Sequence, residues 1–336
     1  MSEQIGFIGL GNIGFYIAAN LSRSLSTTGH PPLKVYTRSE PKRTSFVSEH
    51  SHSVAVSSVE EIGNTCDIVI TSLANDAAAK EVYEALLTGS KERREKGDRG
   101  KIIFVDTSTL FPTLVGELEK KASEVEHRYF LSCPVFGPPP LAKDAKLILV
   151  LSGDASARRK IKDLLVPACA RKVIDVGEDV EKGASLKLVG NSLILGVVEM
   201  LAESFTLADR TGVGAENIYE FIQEFLPTPS FLGYGAKMLK DDYPAGAGFS
   251  VAGGMKDAEH ILALAAKHNN PMPVVNAAYH HLQTARQLTG SKANEFDWSF
   301  LVAGQRATAG VDPFKREVFK GAERVTTESA GESSKQ

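Results

Sequence analysis

Lys187 lies in the apolar run Gly183-Ala184-Ser185-Leu186-Lys187-Leu188-Val189-Gly190-Asn191, four residues before Asn191. At helical spacing the two share a face. Burial disfavours the charged form of a lysine, so one set among apolar neighbours is unusual. It can snorkel its ammonium to solvent. It can equally act as a proton donor or acceptor against a substrate, with Asn191 orienting it. Helix geometry alone leaves both readings open.

A second constellation sits near the N-terminus, where Gly9, Gly11 and Gly14 keep a G-x-G-x-x-G spacing. The apolar run Ile5-Gly6-Phe7-Ile8 precedes it and a helical run, Phe15 to Leu21, follows. In that setting Gly9 permits a tight turn, Gly11 lets a pyrophosphate approach the backbone, and Gly14 lets helix and strand pack closely. The helix N-terminus offers N–H groups and a positive dipole end to phosphate. With 29 glycines in the chain, the spacing alone is a weak signal, and a ligand-free glycine turn would share it. The strand before and the helix after give it weight.

The next strand, Leu33-Lys34-Val35-Tyr36, ends in Thr37-Arg38-Ser39, with Lys42 and Arg43 close behind. An NAD site places Asp or Glu at this point to bind the ribose 2′-OH, and Glu40 comes too late for that. A 2′-phosphate would instead meet a guanidinium, whose planar fork bonds two oxygens, and two hydroxyls. The expected preference is NADPH over NADH; the bland alternative is a solvated loop charge at Arg38.

These groups need a frame, and the chain of 336 residues is long enough for two domains. Apolar residues at 43% and charged ones at 24% are ordinary for a soluble globular protein. A net charge of -3 argues against a nucleic-acid-coating or membrane-surface role. No uninterrupted apolar run approaches the ~20 residues of a membrane span. Cys66, Cys133 and Cys169 form neither a disulfide framework nor a zinc pattern. The first strand starts within a few residues of Met1, so no signal or transit peptide is expected and the expected location is the cytoplasm.

Further strands are expected at 53–55, 67–73 and 101–106, apolar runs stand at 130–131 and 147–151, and the sheet is expected to finish near 172–175, with helical segments at 58–63 and from 76 to about 87. The alternation predicts an α/β domain with a parallel, doubly wound Rossmann-type sheet, whose ligands sit outside the carboxyl ends of the strands. The strand ends at Leu73-Ala74-Asn75 and at Asp106-Thr107-Ser108-Thr109 therefore matter. Thr109, shortly before Pro112, also fits a simple helix cap. The charge run 89–100 reads as a solvated surface loop, and Cys133 to Pro140 as a rigid proline loop.

From Gly183 the texture turns helical. Leu186, Val189, Leu193, Val197, Leu201 and Phe205 recur at helical spacing and predict a long, substantially buried helix. Further helices are expected near 215–225, 230–240, 251–269, 273–289 and 294–303. The expected organisation is a cofactor domain over 1–182, an all-α domain over 183–325 joined by the long helix, and a frayed tail over 326–336. His280 and His281 are adjacent, point to different sides of a helix and make a poor metal-ligand pair.

Over roughly residues 4 to 305 the chain resembles the β-hydroxyacid dehydrogenases, relatives of 6-phosphogluconate dehydrogenase. Four segments carry the resemblance in order: Gly6 to Gly14; Asp106-Thr107-Ser108-Thr109 with Pro112; Lys187 with Asn191; and Phe249 with Lys256-Asp257. Together with the strand ends read above, which supply Thr37, Arg38, Leu73 and Asn75, it implies cofactor contacts from Gly9, Leu10, Gly11, Asn12, Ile13, Thr109 and Lys256. It implies substrate contacts from Ser108, Phe136, Gly137 and Asn191. Lys187 would be the general acid in reduction and the general base in oxidation, with no metal required. It also implies a homodimer or homotetramer assembled through the helical domain.

The departures concern substrate. Where the family has Ser-Gly-Gly to bind a carboxylate, this chain has Phe136-Gly137-Pro138. The hydroxyl is gone and Pro138 has no N–H, which leaves the Gly137 N–H. A more apolar or larger substrate is expected. Gly190 replaces the first Asn of an Asn-Asn pair, and Asn75 stands where the family often has Pro. The Phe-Gly-Pro loop also resembles that of imine reductases and reductive aminases, which typically lack the Lys; retained Lys187 favours a carbonyl or alcohol. A non-catalytic NADP-binding scaffold is the remaining alternative, and intact Lys187 and Asn191 argue against it.

Overall fold

The computed structural model describes residues 2–315 apart from 99, 245 and 247. The expected tail over 326–336 lies outside the described residues. The chain forms two compact units, one up to Gly190 and one from Asn191 onward.

In the first unit, β1 (Ile5–Ile8), β2 (Leu33–Tyr36), β3 (Ser53–Ala55), β4 (Ile68–Thr71), β5 (Ile102–Asp106) and β6 (Arg128–Ser132) run parallel in the order β3-β2-β1-β4-β5-β6. This is a doubly wound order, whose direction of winding reverses between β1 and β4. Beyond β6 lie β8 (Leu147–Gly153), antiparallel to it, then the short β7 (Val135–Phe136) on one part of β8 and β9 (Ala170–Asp175) parallel to β8.

Residue alternation builds two cores. Phe7, Ile70 and Val105 face one side, against α1 (Gly14–Thr28), Phe46 of α2 (Glu40–Glu49) and Ile161 of α7 (Ala155–Leu165). Ile8, Val69 and Phe104 face the other, against α3 (Val59–Thr65), α4 (Asp76–Glu95) and α5 (Pro112–Ser123). Both faces of each central strand are thus buried, as a sheet wrapped by helices requires.

Several expectations change. The charge run at 89–100 is not a loop over most of its length, because α4 continues to Glu95. Its Lys, Glu and Arg residues are good helix formers, and Arg93 reaches back to Asp67 at 2.7 Å. Gly89 is needed where it stands, since a Cβ there would meet the Glu60 carbonyl oxygen at 2.2 Å. The Cys133–Pro140 segment is not wholly loop either: it holds β7 and the start of α6 (Pro139–Lys143).

Another change concerns α8 (Val180–Thr211). The helix is as long as periodicity predicts, but its buried face is Leu188, Leu195, Val198, Leu201, Ala202 and Phe205, while Val189 and Leu193 are exposed. Both faces carry apolar residues, so periodicity alone picks a line between them. Among the described residues α8 is the one helix long and apolar enough to cross a membrane; its most apolar 18-residue stretch has mean hydropathy 1.5 and is 44% buried. The division between the two units falls inside α8, later than the expected boundary at its start.

The second unit holds the rest of α8 with α9 (Ala215–Phe225), α10 (Pro229–Lys240), α11 (Val251–Lys267), α12 (Pro273–Thr289) and α13 (Leu301–Thr308). The expected helix at 294–303 is instead two short 3-10 turns leading into α13.

Candidate active site

The three glycines of the turn sit in three different settings. Gly9 has φ +102°, and a Cβ there would lie 2.1 Å from the Ser72 carbonyl oxygen, at the end of the neighbouring strand. Gly14 would place a Cβ 2.1 Å from the Gly9 carbonyl oxygen. A Cβ at Gly11 would meet no protein atom within 4 Å, so this glycine leaves a clear approach to the backbone. Helix α1 starts at Gly14, with Ile13 as an N-cap that makes no side-chain cap bond and no acidic residue in the first turn. Its first N–H groups therefore suit an anion. Leu10 is buried in the core, whereas Gly11 and Asn12 are exposed. The residues present fit a dinucleotide pyrophosphate.

At the end of β2, Arg38 is exposed and Thr37 half-buried. Arg43 donates to the Thr37 carbonyl at 2.8 Å and lies over the Tyr36 ring at 5.1 Å, which fixes the turn that carries Arg38.

The strand ends of β4 and β5 are stitched together. Ser108 Oγ accepts from the Leu73 N–H at 2.8 Å, and Thr107 Oγ1 donates to the Thr71 carbonyl at 2.7 Å. Thr71 Oγ1 donates to Asp106 Oδ2 at 2.6 Å and lies 2.9 Å from the Tyr83 hydroxyl. Burial pushes the Asp106 carboxyl above the usual range, opposed by the Thr71 and Ser108 hydrogen bonds. Ser108 therefore holds Leu73, an expected cofactor residue, at the switch point. Thr109 is half-buried, and the N-cap position of α5, which starts at Pro112, is Phe111 rather than Thr109. Asn75 is the N-cap of α4, accepting from the Ala78 N–H at 2.9 Å.

Lys187 is half-buried on α8, and its Nζ lies 4.3 Å from the centre of the Phe136 ring. Phe136 pairs with Ile148 in the β7–β8 ladder, and Gly137 follows with φ +134°. The candidate acid and the altered loop thus meet in one unit.

In the second unit, Asn191 is buried and its Nδ2 donates to Asp257 Oδ2 at 2.5 Å. Lys256 Nζ lies 3.0 Å from Asp257 Oδ1, an ion pair without hydrogen-bond alignment. Asp257 is fully buried and ties Asn191 to Lys256. Sequence reasoning quotes Asp257 without giving it this task; only its place beside Lys256 hints at it.

Residues 4–177 match the family model described as the NAD-binding domain of 6-phosphogluconate dehydrogenase, and residues 182–297 match the NAD-binding domain of NADP-dependent 3-hydroxyisobutyrate dehydrogenase. The chain belongs to the β-hydroxyacid dehydrogenase family. An uncharacterized oxidoreductase of Bacillus subtilis, YfjR, is 28% identical over 89% of this chain and 98% of its own length. The mitochondrial 3-hydroxyisobutyrate dehydrogenase of Drosophila melanogaster is 29% identical over 83% and 82%. Among solved structures, Mycobacterium tuberculosis 3-hydroxyisobutyrate dehydrogenase with L-serine superposes with a TM-score of 0.73 at 24% identity, covering 91% of this chain and all of that one. An imine reductase from Pseudomonas sp. shares the fold at a TM-score of 0.55 and 17% identity, covering 91% and 100%. The protein is an NAD(P)-dependent oxidoreductase of the dehydrogenase type, acting on hydroxyl groups.

Proposed function

We propose that this β-hydroxyacid dehydrogenase uses NADPH to interconvert the carbonyl and hydroxyl of a small substrate more apolar than the usual hydroxyacids, with Lys187 as general acid and base. The observation that carries the reading is the Lys187 ammonium, held on α8 at 4.3 Å from the Phe136 ring in the loop where family members bind carboxylate. A bound nicotinamide supplies or accepts the hydride. The glycine turn and the start of α1 would hold the pyrophosphate, and Thr37 and Arg38 the 2′-phosphate. In reduction Lys187 gives its proton to the oxygen that becomes the hydroxyl; in oxidation it takes that proton back. Asn191, anchored by Asp257, would orient the substrate oxygen. The exposed apolar residues of α8 support assembly of the helical unit into a homodimer or homotetramer.

The test is Lys187→Ala, assayed by NADPH absorbance against aldehydes, hydroxyacids and cyclic imines. Turnover of the best carbonyl substrate should drop about 10²–10⁴-fold, with NADPH affinity kept. Near-full activity in the variant removes Lys187 from the chemistry, and turnover confined to imines replaces the carbonyl reading.

A further inference from the structure

Two departures from the family pattern, Phe136 and Gly190, are in contact. An ideal Cβ on Gly190 would lie 2.4 Å from Phe136 Cζ and 2.7 Å from Cε1. No other residue type fits at 190 unless the ring moves. Glycine is a poor residue for a helix interior, yet Gly190 lies well inside α8. The backbone that carries the ring is also fixed. Phe136 is tied into the β7–β8 ladder opposite Ile148, and the next residue, Gly137, has φ +134° with room for no Cβ, since one would come 2.8 Å from Leu147 Cδ2. Lys187 stands one helical turn before Gly190, on the same side of α8. The ring thus reaches from Gly190 at its edge to the Lys187 ammonium 4.3 Å from its centre.

We propose that Phe136 and Gly190 form one interlocked specificity element that replaces a carboxylate anchor and fits the site to neutral, apolar carbonyl substrates; the substrate half of this rests on Lys187 being the acid. The electrostatics follow from the ring. Its face is negative and attracts the ammonium, which positions Nζ. The ring itself offers no hydrogen-bond donor, so a carboxylate placed on it gives up hydration that the ring does not replace. The cation on this ring is Lys187, and a carboxylate that captured it would compete with the proton transfer to the carbonyl oxygen. A neutral apolar substituent packs on the ring and leaves Lys187 to the reacting oxygen. Gly190 is then a specificity determinant that touches no substrate: it admits the ring.

Two measurements separate the halves. The first is a thermal double-mutant cycle on the full chain with Gly190→Ala, Phe136→Ser and both together. Gly190→Ala alone should lower the melting temperature, and in the Phe136→Ser background it should lower it far less or raise it, since alanine is the better helix former once the ring is gone. Additive changes overturn the interlock, whatever the enzyme's activity. The second compares succinic semialdehyde with its methyl ester, which differ in charge at the far end. The unaltered protein should favour the ester in kcat/KM, and Phe136→Ser should move the ratio toward the acid by about tenfold or more. The change should fall mainly on KM for the acid, a split that general loosening would not give. An acid preferred by the unaltered protein, or a ratio unmoved by Phe136→Ser, overturns the substrate assignment. Turnover of neither compound, with the thermal cycle still coupled, overturns the substrate assignment and leaves the interlock standing.

Discussion

Arg38 ends β2 as an exposed side chain on a turn that Arg43 holds through the Thr37 carbonyl. An exposed guanidinium contributes little to folding, so its replacement tests recognition rather than stability. Charged hydrogen bonds to a phosphate carry about 1.5–3 kcal/mol. Arg38→Ala should therefore weaken NADPH binding about tenfold to a hundredfold and leave NADH binding nearly unchanged. Fluorescence titration of both cofactors reads the result, and equal losses for the two would mean that Arg38 does not meet the 2′-phosphate. Asp257 works differently. It is fully buried and holds Asn191 at 2.5 Å, so its loss would disturb position before charge. Features set by sequence-local geometry, such as the glycine turn between β1 and α1 and the place of Arg38 just past β2, are legible in the sequence. Those that act through contacts distant in the chain, Phe136 on Gly190 and Asp257 on Asn191, are not, because no spacing rule joins them.

Legibility at the scale of elements follows the same division. The strands of the sheet are short apolar runs bounded by turn residues, and sequence places β2 and β3 at their observed limits. Helix α7 is easier to see in the structure, where Asp154 caps it by accepting from the Ser156 and Ala157 N–H groups at 2.9 and 2.8 Å. The Ser156 hydroxyl, then the Ala157 N–H, hold the Asp154 carboxyl below its ordinary range. A carboxylate whose folded value is depressed stabilises the fold above its unfolded value, and that stabilisation is lost as pH falls through the folded value. Asp154→Ala should cost about 1 kcal/mol at neutral pH. The gap between the two proteins should shrink below pH of about 4, where the unfolded carboxylate begins to protonate. Urea denaturation at a series of pH values measures this, and a gap that does not change with pH would show that the charge on Asp154 is not what caps the helix.

At the scale of the whole molecule, α8 carries two apolar faces and the chain covers one. Leu188, Leu195 and Ala202 are buried seven residues apart, while Leu193, Met200 and Leu207 are 70%, 51% and 64% exposed at the same interval. A seven-residue repeat keeps a stripe on one side of a helix with a small drift. Phe221 and Phe225 on α9 add a stacked, exposed pair with ring centres 5.3 Å apart. Burying each large side chain is worth roughly 1.5–3 kcal/mol, so a second copy covering this stripe would recover a substantial driving force even after the cost of association. We propose a second copy of this chain as the occupant, since a like apolar stripe on an identical helix offers it a matching face. Sedimentation equilibrium at micromolar concentration should give a dimer or tetramer. Leu193→Glu with Leu207→Glu should shift it to monomer while the far-ultraviolet circular dichroism stays the same, since neither side chain is part of the buried core. A monomeric unaltered protein would leave this face without its expected partner.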